Sequence, residues 1–149
     1  MSVLKKMGLA HVIVALIVLI AAAGCSSGLA PAAATPTPAP APLETRQVGN
    51  YKLSLYSSPN PPIRGANVMQ LTLTDAAGKP VTDAKVAFDL DMTNMSHGKN
   101  IVPAEPAGQG RYSGQVFFMM PGPWRSIVVV ERPGQPPVRA RFDFRVNMR

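Results

Sequence analysis

The sequence predicts an all-β fold: a small antiparallel immunoglobulin-like β-sandwich behind a signal peptide and a Pro/Ala-rich tether. Three observations predict it. Apolar and polar residues alternate with period two along six stretches beyond Gln47, the spacing that gives a strand one buried and one solvated face. Turn-forming clusters separate those stretches, at Pro59-Asn60-Pro61-Pro62, Ala77-Gly78-Lys79-Pro80 and Arg132-Pro133-Gly134-Gln135-Pro136-Pro137. No stretch after Cys25 holds a helical period without a proline or glycine inside it. Six strands, with a seventh near Asn100 to Pro103, suit two packed sheets.

The elements follow in chain order. Residues 1–24 read as a lipoprotein signal: Lys5 and Lys6 precede an uncharged apolar stretch, Gly8 to Ala23, that ends in small residues. The stretch is short for a membrane-spanning helix. It closes on Ala22-Ala23-Gly24-Cys25, which resembles the bacterial lipoprotein cleavage box, although such boxes more often begin with Leu. Cys25 is the chain's single cysteine, so it has no intramolecular disulfide partner, and lipidation accounts for it. Several acyl chains on one residue anchor stably where a single chain does not. The expected location is extracytoplasmic and membrane-bound, and by resemblance to sorted lipoproteins of double-membraned bacteria Ser26 is compatible with transfer to an outer membrane. Residues 25–46 carry the alternation Pro36-Thr37-Pro38-Ala39-Pro40-Ala41-Pro42 and read as an extended spacer. Its 21 residues after Cys25 reach at most about 65 Å at roughly 3.1 Å each.

Residues 47–149 form the expected domain, large enough for one core but not two. Tyr51, Leu53 and Leu55 make the inward set of one strand, and Met69, Leu71 and Leu73 that of the next. Asp75 ends that strand, and a glycine turn followed by Pro80-Val81 leads into Val86, Phe88 and Leu90. Tyr112 to Met120 and Arg125 to Glu131 are two strands joined at Pro121-Gly122-Pro123, and Phe142, Phe144 and Val146 line the last. No repeat is visible.

Composition narrows the function classes. The chain carries a formal charge of +7, and the domain contributes +5 of it from twelve basic and seven acidic residues. So modest an excess in an exported domain argues against nucleic acid and for a solvated basic face, ahead of anionic lipid headgroups or an acidic partner. Arg139, Arg141 and Arg145 share the outward parity of the final strand, where charge also discourages sheet-to-sheet pairing. Catalysis finds little support. The domain has one histidine, no cysteine and no glycine-rich loop before a helix, and Asp89 and Asp91 sit on an outward face. The domain is read as a non-enzyme and a monomer.

One constellation carries chemistry. Met92-Thr93-Asn94-Met95-Ser96-His97-Gly98 and Phe118-Met119-Met120-Pro121-Gly122-Pro123-Trp124 each lie at a strand end. Thioether and imidazole are the donors that select Cu(I) over harder ions. The candidate ligands are Met95, His97 and Met120, with Met92 as a further one, provided the two strand ends converge. By parity Met92 and Met120 point inward and Met119 outward. Methionine is equally a gap-filler in cores, and a loop histidine beside glycine is equally a turn residue, so packing stands beside ligation. Trp124 is expected to plug the core with its indole N–H paired.

These motifs, with Gly78-Lys79-Pro80-Val81, Val86 to Met92 and Gly110-Arg111-Tyr112, resemble the YtkA-like domain, related to FixH proteins, over about Tyr51 to Val146. The resemblance implies an immunoglobulin-like sandwich in exported or membrane-tethered proteins, with relatives near copper handling, cytochrome oxidase assembly and efflux adaptors. It places Met92, Met95, His97, Met120 and Trp124 at recurring positions. Thr93 departs from it, since the family often has proline after the first methionine. Two functions compete: Cu(I) binding or delivery, and a non-catalytic interaction module that supports a membrane or efflux complex.

Overall fold

Alternating strands with one apolar face need a second apolar face to cover them, and the computed structural model, which describes residues 40–95, 98 and 100–148, supplies it. Cys25, the signal and most of the tether lie outside the described residues. Eight strands follow one another among the described residues: β1 (Glu44–Val48), β2 (Tyr51–Ser58), β3 (Gly65–Asp75), β4 (Lys85–Met92), β5 (Ile101–Pro106), β6 (Arg111–Phe118), β7 (Gly122–Glu131) and β8 (Val138–Val146). All neighbours pair antiparallel in the order β1-β2-β3-β6-β5-β4-β7-β8. The two layers are joined by β5. Its first residues pair with β4, at Phe88↔Val102, and its last with β6, at Glu105↔Ser113. The expected all-β sandwich is therefore the fold, with its two layers continuous through one strand.

Two differences from the sequence reading have physical reasons. Strand β1 begins at Glu44, inside the residues assigned to the tether, and its side chains are exposed or half-buried, so no apolar alternation marks it. Strand β7 begins at Gly122, inside the Pro121-Gly122-Pro123 segment read as a turn, because the chain crosses between layers over Met119–Pro121 and Gly122 and Pro123 already pair with Val146 and Arg145 of β8. Close approach where β5 changes layers depends on Gly114. A Cβ there would lie 3.0 Å from the Pro103 carbonyl oxygen and 3.2 Å from Val102 Cγ1.

The core follows the predicted parity. Leu53, Leu55, Met69, Leu71 and Leu73 face Phe88, Leu90, Val128, Val130 and Phe142, all at most 2% exposed. Tyr112 is buried among them; its hydroxyl donates to the Val81 carbonyl at 2.9 Å and accepts from the Ala84 N–H at 3.2 Å. That pins the long connection between β3 and β4. Strands β1 and β8 are the free edges, and the Glu44 carboxylate accepts from the Asp143 N–H of β8 at 3.4 Å. Covering edge donors in this way discourages pairing with other chains.

The registers place the start of β1, β3 and β7 and the end of β2, β4, β6 and β8 at one end, here called the rim. At the opposite end the Arg132 guanidinium forms a clasp. Its Nε and Nη2 donate to the two Asp83 carboxylate oxygens at 2.9 and 2.8 Å, and its Nη1 donates to the Tyr51 hydroxyl at 2.9 Å. The Tyr51 hydroxyl in turn donates to Gln135 Oε1. The hydrogen bond from Arg132 holds the Asp83 carboxyl below its ordinary 3.8. A group whose folded pKa is lowered contributes stability above its unfolded pKa and loses it as pH falls through the folded value. The melting temperature is thus expected to drop on acidification below 3.8, and Asp83→Asn to flatten that part of the profile. Thermal melts across acidic pH test this; an unchanged slope in the variant would argue against the clasp.

Candidate functional site

The rim is built where β4 gives out. The inward parity of Val86, Phe88 and Leu90 carries Met92 into the core, 3% exposed and in register with Trp124 of β7. One residue later the Thr93 N–H donates to the Pro123 carbonyl at 3.1 Å. The two segments whose convergence the sequence left open are therefore joined through their backbones. The loop's far side is closed by the Leu90 N–H, which donates to the Asn100 carbonyl at 2.9 Å, just before Asp89 pairs with Ile101. Met95 sits between those two fixed points, 47% exposed. His97 lies outside the described residues.

Gly122 lets the segments close. Its φ of +135° is a conformation side chains rarely adopt, and a Cβ there would come within 3.0 Å of the Met92 methyl carbon. Between two prolines this glycine reads as a turn marker, and the contact it permits has no signature in the sequence.

Aromatic rings form the floor. Trp124 is 3% exposed, and its indole N–H donates to the Met120 carbonyl at 3.1 Å. That bond fixes the backbone of a residue whose side chain is half-buried against the core. Phe118 stands edge-on to Trp124 and to Phe144, with centroids 5.0 and 5.8 Å away, a favoured geometry for aromatic pairs. Met119 takes the outward parity expected of it and is exposed beside Phe117.

The structure thus brings Met92, Met95 and Met120 to one end of the sandwich. Their thioethers are neutral, polarizable donors. Among the described residues no group of three or more His, Cys, Asp and Glu side chains stands close enough to hold a metal ion. The thioethers gathered at this end are donors of the kind that suits a soft monovalent ion. The displaced pKa values belong elsewhere: to the clasp, and to Arg141, raised by its hydrogen bonds to Asp143 on the outer face of β8. Arg139 and Arg145 flank that pair and are exposed.

No curated protein matches the chain. Solved structures do share its fold. The chain is similar to a copper-bound variant of FetP from uropathogenic Escherichia coli at 13% identity and a TM-score of 0.55, over 71% of this chain and 96% of that one. It is similar to a DUF4426 family protein from Pseudomonas aeruginosa at 16% identity and a TM-score of 0.52, over 70% and 96% of the two chains. The soluble domain of PmoD from a Methylocystis species is matched at 15% identity and a TM-score of 0.50, over 68% and 95%. The sequence model of the YtkA-like family matches residues 45–129, from the first strand to the penultimate one and more than half of the chain. The protein belongs to the YtkA-like family.

Proposed function

We propose that this chain is a membrane-anchored, extracytoplasmic β-sandwich that binds one Cu(I) at its rim, with acylated Cys25 as the anchor. Met95, His97 and Met120 hold the ion, and Met92 is the further ligand. The observation that carries this reading is the bond from the Thr93 N–H to the Pro123 carbonyl, at 3.1 Å, which draws the two donor-bearing segments together. The copper-bound FetP variant, which shares the fold, adds support. The bound ion would be either cargo for delivery or a stored equivalent; the chain's own part is to present uncharged soft donors over an apolar floor.

Anaerobic titration of the purified chain with Cu(I) against a competing chelator tests the reading. One equivalent is expected to be retained. Thioethers do not protonate at ordinary pH whereas imidazole does, so affinity should fall, without vanishing, in mildly acidic medium. His97→Ala should remove that pH dependence. Failure to retain copper would transfer the case to the second reading, a non-catalytic interaction module for a membrane or efflux complex. The exposed guanidinium groups of Arg139 and Arg145 on an edge strand favour that alternative.

A further inference from the structure

We propose that the outer face of β3 and β6 is a docking groove for the chain's own tether, with Thr37-Pro38-Ala39 lying across it in polyproline geometry. The last described tether residues already rest at its mouth. Pro40 lines a hollow with Tyr56, Ser58, Asn60, Val68 and Gln70. The Asn60 side-chain amide donates to the Ala41 carbonyl at 2.9 Å, and the Leu43 N–H donates to the Leu55 carbonyl at 2.7 Å. The tether is thus bound to the sheet before β1 begins.

The hollow does not end at Pro40. Ser58 and Val68 are shared with an adjoining groove of about 380 Å³ whose other walls include Ala66, Gln115 and Phe117. Val68 is 42% exposed and Phe117 64%, large apolar side chains on the solvent side of a sheet. In the register Val68 lies opposite both Ser58 and Gln115, and Ala66 opposite Phe117, so apolar and hydrogen-bonding groups alternate across the groove.

That mixture is what a polyproline segment needs. Proline rings stack on an aromatic wall, and the backbone carbonyls, which have no internal partners in this geometry, accept from polar side chains. Length agrees. Strands are about 4.8 Å apart, so β2 to β6 is about 10 Å, and three residues at about 3.1 Å each cover nearly all of it. The tether is favoured over a second copy because its neighbour Pro40 is already in place, which makes docking of the next residues intramolecular. With the chain already held from Pro40 onward, a docked tether would shorten the remaining reach from Cys25 from about 43 Å to about 34 Å.

Photo-crosslinking of the full chain tests this. Phe117 is replaced by p-benzoylphenylalanine, a substitution its exposure should accommodate, and the products are mapped by mass spectrometry. The expected product is an intramolecular crosslink to residues 37–39, its yield lowered about threefold by Pro38→Gly, which loosens the segment. The same probe in place of Val129, on the other layer's outer face, should give no such product. Crosslinks between two copies, none to residues 37–39, or a yield indifferent to Pro38→Gly would each overturn the proposal.

Discussion

Replacing Trp124 with alanine is expected to destabilise the domain by about 3–5 kcal/mol, the range for removing a buried aromatic side chain. Its ring is packed edge-on against Phe118, and its N–H satisfies the Met120 carbonyl. Both contacts disappear together, and the cavity opens directly beneath the rim. Cu(I) affinity should therefore fall as well, because the bond that fixes the Met120 backbone is gone. Trp124→Phe separates the two effects. It keeps most of the packing, loses the N–H, and should cost about 1–3 kcal/mol for the carbonyl left without its donor. Trp124 is the chain's single tryptophan, so denaturant unfolding is followed by circular dichroism. An alanine variant with the parent's midpoint would show that the floor is not packed as described.

Met92 gives the second large effect. Met92→Ala should cost about 2–5 kcal/mol, because the side chain is buried and its methyl carbon is held against Gly122. Affinity for Cu(I) should drop with it, yet that result alone cannot tell a ligand from a packing residue. Met92→Leu can. Leucine keeps the volume at a cost below about 1.5 kcal/mol while removing the sulfur, so weaker Cu(I) binding in a stable variant would identify Met92 as a ligand. Met95→Leu makes the complementary case. With Met95 exposed in its loop, stability should change by no more than about 0.5 kcal/mol while affinity falls. Equal copper binding by parent and both leucine variants would remove Met92 and Met95 from the site.

Parity was the legible part of this chain. Leu53, Leu71, Phe88, Val128 and Phe142 face the core because period-two alternation leaves a strand no other way to bury its apolar side. The edge strand β1 was hidden because Glu44-Thr45-Arg46 buries almost nothing, and hydrogen bonding to β2 rather than hydrophobicity makes it a strand. Strand β5 was readable only in part, since Pro103 and Pro106 interrupt a run that changes partners midway. The site divides in the same manner. The inward direction of Met92 and the outward one of Met119 follow from counting along their strands. Where the two donor-bearing segments meet does not, because it depends on the β6–β7 connection crossing between layers and on the space above Gly122. Period two says which way a side chain points, not which strand end it will face.

The placement of the chain's path into β1 has a mechanical side. The polypeptide comes into the sandwich at the rim, beside the Asn60 contact to Ala41, and not at the Arg132 clasp. A leash fixed at Cys25 would therefore tug on the methionine-bearing end, and the clasp would be the end that swings outward. Such a domain would hang from its methionine-bearing end like a bell from its crown. If the rim holds the proposed ion, that ion would leave from the tethered end, and a soluble courier would have to reach in past the leash. Reporter groups are best placed at the clasp, since a fusion ahead of Pro40 or after Met148 would crowd the methionine-bearing end.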